Sequence, residues 1–307
     1  MSVFTVTGER RYSESFLQTN TLKFESNSKL VLAPSEQHMP GPRTLTIIAN
    51  KIEIVDQAEI TYDLDDQPGL DPDTPAPSTP STAPNGPNGM SSPGEGSYPR
   101  AEDGGDGQPG RTGARGIKGM DSPTLEIFAD NVTAGLMKIN FKGQDGGKGG
   151  TGGNGGTGGD GQKGAASTMS DSWYNGEECT QEPGRGGNGG KGGDAGYPGR
   201  GGDGGKGGIV KVFVTQGYLT LVQGWTYNVS GGKGGDPGQP GKEEAGGKGG
   251  KQGDKNGPCP SRSEYRGSDG STGRTMTDID PHWATNFKGE DGADGYWDAY
   301  ELKSMPT

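Results

Sequence analysis

Apolar and polar residues alternate with period two in several short stretches rich in Val, Ile and Thr, a pattern that predicts half-buried strands. The stretch 44–54, TLTIIANKIEI, overlays 124–134, TLEIFADNVTA, without a gap, and more loosely 211–221, KVFVTQGYLTL. An earlier pair, Leu22 to Phe24 and Leu30 to Leu32, predicts a first turn of the same kind. Self-similar strands separated by polar corners predict a β-solenoid, because each coil of such a stack buries its inward side chains against the next. An ordinary β-sandwich is the alternative small β domain. The predicted core is Ile47, Ile52, Ile54, Ile60, Ile127, Phe141, Val212, Val214, Leu219 and Leu221, with almost no α-helix anywhere.

Between these stretches the period changes from two to three. From Gly143 to Gly164 a glycine opens every triplet (GQD GGK GGT GGN GGT GGD GQK G), and from Gly184 to Gly208 the phase is again unbroken. Shorter runs cover 104–119, 232–253 (which loses register at Glu244), 267–275 and 289–295. A flexible linker has no reason to keep phase, so the period predicts order. Three residues per turn is the period of the polyproline II helix, which has no internal hydrogen bonds and must pair sideways. Ordering a residue costs about 1–2 kcal/mol, most for glycine, so such a helix needs an array of like neighbours.

A collagen triple helix is one such array, but proline is sparse within the runs. The dominant triplet is Gly-Gly-X, which leaves two of three faces as bare backbone and predicts a bundle of polyglycine II helices within one chain. The X face then points outward with Lys148, Asn154, Asp160, Lys191, Asp203 and Lys206. If the coils stack, the runs leave from one side of the stack and lie together. The resulting order is N-terminal β coils over 1–64, a Pro-rich extended loop over 65–103, the glycine bundle over 104–296 with β coils at 123–142 and 209–230, and a C-terminal segment over 297–307.

Composition narrows the function. With 64 Gly and 22 Pro among 307 residues and only 26 % hydrophobic residues, an ordinary single-core enzyme is not expected. A net charge of −11 opposes binding to nucleic acid. No apolar stretch is long enough to predict a membrane span, and the start lacks the apolar region of a secretory signal, so a virion or non-classical extracellular destination is favoured. The GxGxxG matches are products of triplet repetition: Lys148, Lys191, Lys206, Lys233 and Lys248 are each followed by Gly, whereas a phosphate loop needs Ser or Thr there. His38 and His282 lie in no nucleophile motif, and no cofactor, catalytic residue or metal site is predicted. Asp63, Asp65, Asp66, Asp71 and Asp73 read as a solvated acidic face, and Glu53, Glu59 and Glu126 are the candidate carboxylates of a weaker reading, a carbohydrate-active solenoid enzyme.

Two non-repetitive segments, 165–183 and 254–288, carry the aromatic chemistry. Trp173, Tyr174, Tyr265 and Trp283 are the candidate receptor-binding residues, since exposed aromatics on loops held by a rigid support form recognition surfaces; the same rings would equally serve as caps on helix ends. Cys179 and Cys259 sit one in each segment and would join them as a disulfide in an oxidising compartment or remain reduced structural cysteines in a reducing one.

The phase-locked runs GGKGGTGGNGGTGGDG and GRGGNGGKGG, interrupted by variable aromatic segments, resemble the polyglycine II domain of T-even phage tail-fibre adhesins. The resemblance covers the glycine runs, and residues 1–64 do not match that family's attachment domain. It implies a rigid stand whose end loops bind a cell-surface receptor or glycan. Snow-flea antifreeze protein has similar runs, but lysines and aspartates at X do not suit an ice-binding face. The expectation is a non-enzymatic adhesin or receptor-binding protein, with a collagen-like stalk or filament subunit, partnered by copies of itself, as the alternative.

Overall fold

The structure, a computed structural model, describes residues 2–33, 44–63, 100–172 and 176–306. Its strands fall in pairs: β1 (Val3–Val6) and β2 (Glu9–Tyr12), β3 (Phe16–Phe24) and β4 (Ser28–Leu32), β5 (Thr44–Ile54) and β6 (Gln57–Tyr62), β7 (Thr124–Val132) and β8 (Leu136–Asn140). A separate antiparallel hairpin follows, β9 (Thr168–Ser172) and β10 (Gly176–Gln181), then β11 (Ile209–Val214), β12 (Thr226–Asn228) and β13 (Tyr296–Glu301). The chain steps back and forth between two parallel sheets, one ordered β1-β3-β5-β7-β11-β13 and the other β12-β8-β6-β4-β2. Among the described residues helices are few and short: α1 (Leu219–Gln223), α2 (Met276–Ile279), α3 (Trp283–Asn286) and two single 3₁₀ turns. Among the described residues no helix is long and apolar enough to cross a membrane.

Parallel pairing sets inward residues into columns. Leu17, Ile47, Ile127 and Val212 lie in one column of the larger sheet, and Leu30, Ile60 and Ile139 in one of the smaller; all are buried. Alternate residues face out, as the period of two requires. The gapless overlay is the true register, with Thr44 opposite Thr124 and Ile52 opposite Val132. The looser overlay is displaced by two residues, because Ile209, not Lys211, stands opposite Thr124; a shift of two keeps each side chain on its face.

The third β stretch also ends early. Leu219 and Leu221 belong to α1 rather than to a strand, and they pack only partly buried against the core, while Val222 is the fully buried residue of that turn. The Gly217-Tyr218 step breaks the extended run through a 3₁₀ turn that includes both residues, after which the alternation of Leu219 and Leu221 no longer describes a strand.

The glycine runs extend the two sheets. Tracts 101–122, 184–208 and 287–295 lead into β7, β11 and β13, the neighbouring strands of the larger sheet; tracts 141–167 and 229–254 leave β8 and β12 of the smaller. Within each layer the tracts run in one direction and bond at every third residue. Gly104, Gly107 and Gly110 donate to the carbonyls of Asn188, Lys191 and Asp194, and Gly146, Gly149 and Gly152 to those of Lys233, Asp236 and Gln239. Between layers the direction reverses: Gly187, Gly190 and Gly193 donate to Gln162, Gly159 and Gly156. The fifth tract comes in two pieces, 266–274 and 287–295, both bonded to tracts 184–208 and 229–254.

Glycine content follows from position in this array. In the interior tract 184–208 both glycines of a triplet are crowded: a Cβ on Gly189 would lie 1.9 Å from the carbonyl oxygen of Gly247, and one on Gly190 2.0 Å from that of Gly105. The edge tract 104–119 mostly carries one glycine per triplet, the remaining positions being taken by residues such as Gln108, Ala114 and Ile117, because it has fewer neighbours. Where the fifth tract is interrupted, opposite the middle of the interior tracts, glycine gives way to Ala195, Pro198, Pro237, Pro240 and Glu243. Proline, which has no N–H, sits where a partner carbonyl is missing. The bonding phase does not slip at Glu244, whose amide reaches Gly193 three residues after Gly241 reaches Gly196 and three before Gly247 reaches Gly190. Only the glycine identity lapses.

The third residue of the triplet is not merely solvated. Aspartate and asparagine at X accept the X-residue amide of the next parallel tract: Asp103 from Asn188, Asp106 from Lys191, Asp121 from Lys206, Asp145 from Lys233, Asn154 from Lys242 and Asp160 from Lys248, at 2.6–3.0 Å. These side chains satisfy amides that the three-residue backbone lattice leaves over.

Candidate functional site

The end of the glycine array remote from the sheets is where non-repetitive chemistry collects. Tract 141–167 closes with Ser167, which is buried; its amide donates to Asp254, its hydroxyl accepts from the Asn256 amide at 2.7 Å, and its carbonyl accepts from the Asn256 side chain at 2.8 Å. The hairpin β9–β10 rises from this point. Cys179 on β10 is joined to the fully buried Cys259 by a disulfide, so the two segments that carry them are covalently clipped. Gly257 turns the chain with φ +51°, beside the sulfur of Met169.

A cleft of about 500 Å³ opens beside the clip, lined by Arg100, Glu182, Arg185, Arg262 and Tyr265. Arg100 and Arg185 stand at the start of tracts that run toward the sheets, and the Ala101 amide bonds to the Arg185 carbonyl at 2.9 Å. Tyr265 is the centre of the cluster. Its hydroxyl donates to Glu182 at 3.2 Å, and its ring carries the guanidinium of Arg185 at 4.7 Å and that of Arg262 at 5.6 Å. Glu182 also pairs with Arg262 at 3.3 Å, holding that guanidinium in its charged form, and Arg100 pairs with Asp103 at 3.0 Å.

The four aromatic residues singled out by the sequence do not make one surface. Trp173 and Tyr174 lie outside the described residues. Tyr265 is not an exposed ring: it is 9 % exposed, because two arginines and Glu182 close over it. Trp283 begins α3 and is half-buried on the flank of the array. The segment 254–288 is therefore not a single tip. Residues 254–265 belong to the remote end, 266–274 form a tract, and 275–286 fill the interruption of the fifth tract, with Phe287 stacked on Tyr197 at 5.9 Å. The tract ends at Arg274, opposite Ala195 and ten residues along from Arg185, and Trp283 follows in the segment that fills the interruption, before Phe287 bonds to Gly201.

A second cleft, about 590 Å³, lies on the outer face of the smaller sheet. Its carboxylates are paired: Glu9 with Lys29 at 3.4 Å, Glu59 with Lys138 at 3.3 Å, Asp145 with Lys142 at 2.8 Å, and Asp63 with Arg11. Glu126 pairs with Lys211 at 3.1 Å on the other sheet, and Glu53, hydrogen-bonded to Lys51, is held below the usual carboxylate range. Asp145, paired with Lys142, is likewise held below the usual carboxylate range, the opposite of what a general acid requires. His282 is exposed at the start of α3; His38, Asp65, Asp66, Asp71 and Asp73 lie outside the described residues.

The arginine cleft escaped the sequence reading. Arg100, Arg185 and Arg262 are about 80 residues apart, and no local motif marks them; the spacing that unites them is that of the tracts. No protein-family model, curated protein or solved structure matches this chain.

Proposed function

We propose that the chain is a non-enzymatic receptor-binding protein: a two-sheet β-solenoid anchoring a bundle of polyglycine II helices that presents loops at its far end, in the manner of the phage tail-fibre adhesins that its glycine runs resemble. One observation carries the reading: at the end of the array farthest from the sheets, two non-repetitive segments are clipped by Cys179–Cys259 beside a cleft lined by arginines and Tyr265. Stepwise pairing of strands between two parallel sheets supports the solenoid. Bonding at every third residue and crowding on two faces of the interior tracts support the polyglycine helices. Because the runs bond within one chain, their amides are not left for a three-chain collagen stalk. The disulfide fits an oxidising surrounding such as a virion or cell surface.

The test replaces 168–181 and 256–264 with short Gly-Ser linkers and compares labelled intact and replaced chains on a panel of bacterial cells and immobilised glycans, with circular dichroism verifying the fold. The reading expects the intact chain to bind at least one cell type or glycan and the replaced chain to lose that binding. Equal binding by both, or none by the intact chain, would overturn it.

A further inference from the structure

We infer that the cleft of Arg100, Arg185, Arg262 and Tyr265 binds an acidic glycan, a sugar bearing a carboxylate or sulfate. This deepens the receptor-binding reading and rests on it. In a chain of net charge −11, three guanidinium groups line one cleft whose single lining carboxylate is Glu182, with Asp103 and Glu264 beside Arg100 and Arg262 at 3.0 and 4.0 Å. Each arginine is held by its surroundings before any ligand arrives: Arg185 lies over the Tyr265 ring, Arg262 is gripped by Glu182, and Arg100 by Asp103. Only Arg185 has no carboxylate partner among the described residues, and its side chain is exposed. It is the free cation of the cleft.

Planar guanidinium forks match carboxylate and sulfate oxygens, and an arginine fixed by stacking loses less freedom when it binds. Glu182 adds acceptor capacity beyond its bonds to Tyr265 and Arg262, which suits sugar hydroxyls that donate hydrogen bonds. The volume, about 500 Å³, is in the range of small-ligand sites and large enough for one or two sugar rings. An acidic sugar is the ligand class that uses both the free guanidinium of Arg185 and the acceptor.

The experiment measures binding of the intact chain, by calorimetry at low salt, to a heparin hexasaccharide, an oligogalacturonate, neutral maltohexaose and sodium sulfate. At least one acidic oligosaccharide is expected to bind, and which one assigns the anion; maltohexaose is not, and sulfate alone should be weaker by about ten-fold or more. Arg185→Met, which keeps a side chain over Tyr265, should weaken the acidic ligand by about ten-fold or more. Arg111→Met, which removes an exposed cation from the edge tract, should change it less than about two-fold. Melting temperature and the thiol count verify that both variants fold with the disulfide intact. Equal binding of maltohexaose, equal binding of sulfate alone, no effect of Arg185→Met, or no acidic ligand bound would each overturn the proposal. Cell binding that survives Arg185→Met but is lost with the loops removed would sink this inference and leave the receptor-binding reading standing.

Discussion

Gly190 lies in the middle of the most enclosed tract, and adding one methyl group there isolates the role of bare backbone. A Cβ built on it meets the Gly105 carbonyl oxygen at 2.0 Å and the attached carbon at 2.4 Å. Both are backbone, so no side chain can swing away. Relief to an ordinary contact of about 3.4 Å needs a displacement of about 1.4 Å between the tracts. The bonds nearby, Gly190 to Gly159 at 2.9 Å, Gly159 to Gly105 at 2.8 Å and Gly104 to Asn188 at 2.8 Å, do not tolerate such a shift. Loss of two or three, at about 0.5–1.5 kcal/mol each, is offset only by the 0.4–1 kcal/mol or so that alanine removes from the freedom of the unfolded chain. Gly190→Ala is therefore expected to destabilise by about 1–3 kcal/mol. Lys148→Ala, at an exposed X position, should stay within about 0.5 kcal/mol of the parent. Urea unfolding followed by circular dichroism measures both. Equal midpoints for the two variants would refute the reasoning.

Further outcomes follow from the same lattice. Asp106→Ala strips the Lys191 amide of its acceptor and should cost about 1 kcal/mol in urea unfolding, whereas Asp106→Asn should be nearly neutral because Asn154 makes the same bond to Lys242 at 3.0 Å; equal losses would contradict the role assigned to X. Burial raises the Asp194 carboxyl, but bonds from the Arg274 side chain and backbone and from Lys191 more than offset this and hold it at about 2, below the usual carboxylate range; Asp203 and Asp269 are also held low, chiefly by the amides of Glu290 and Gly249. Depressed carboxylates stabilise the fold above the unfolded value, so stability should be level near neutrality and fall as pH drops from about 4 toward 2; an unfolding midpoint independent of pH over that window would contradict the assignment. The disulfide closes a span of 80 residues, and in the chain-entropy model its removal costs at most about 4–5 kcal/mol. A Cys179→Ser, Cys259→Ser double variant should melt at a lower temperature than the parent, and an unchanged melting temperature would mean that the clip does not hold the remote end.

The strands were legible because their chemistry is local. An outward and inward alternation repeated at 44–54 and 124–134 fixed both the faces and the gapless register. The three-residue phase revealed that the tracts pair sideways, since nothing else explains glycine at fixed intervals. What stayed hidden depends on which tract lies beside which. The X aspartates look solvated in sequence, yet Asp103 and Asp106 serve amides 85 residues away. The lapse at Glu243 and Glu244 looks like lost phase but reflects a neighbour interrupted between Arg274 and Phe287. Tyr265 looks exposed in a polar segment, and only the return of Arg185 and Glu182 to the same end buries it. Alternation misled at Leu219 and Leu221, where the turn through Gly217 and Tyr218 starts a helix.

Residue-resolved hydrogen–deuterium exchange tests the shared backbone lattice most directly. In tract 141–167 the amides of Gly149 and Gly150 are bonded to Asp236 and Ala114, whereas that of Lys148 has no partner among the described residues; in tract 184–208 the Lys191 amide is bonded to Asp106 as well. The lattice predicts two slow amides and one fast in the triplets from Gly146 to Asn154, and a slow amide at Lys191 in the second tract. Uniform exchange at the rate of an unstructured chain through both tracts would contradict it.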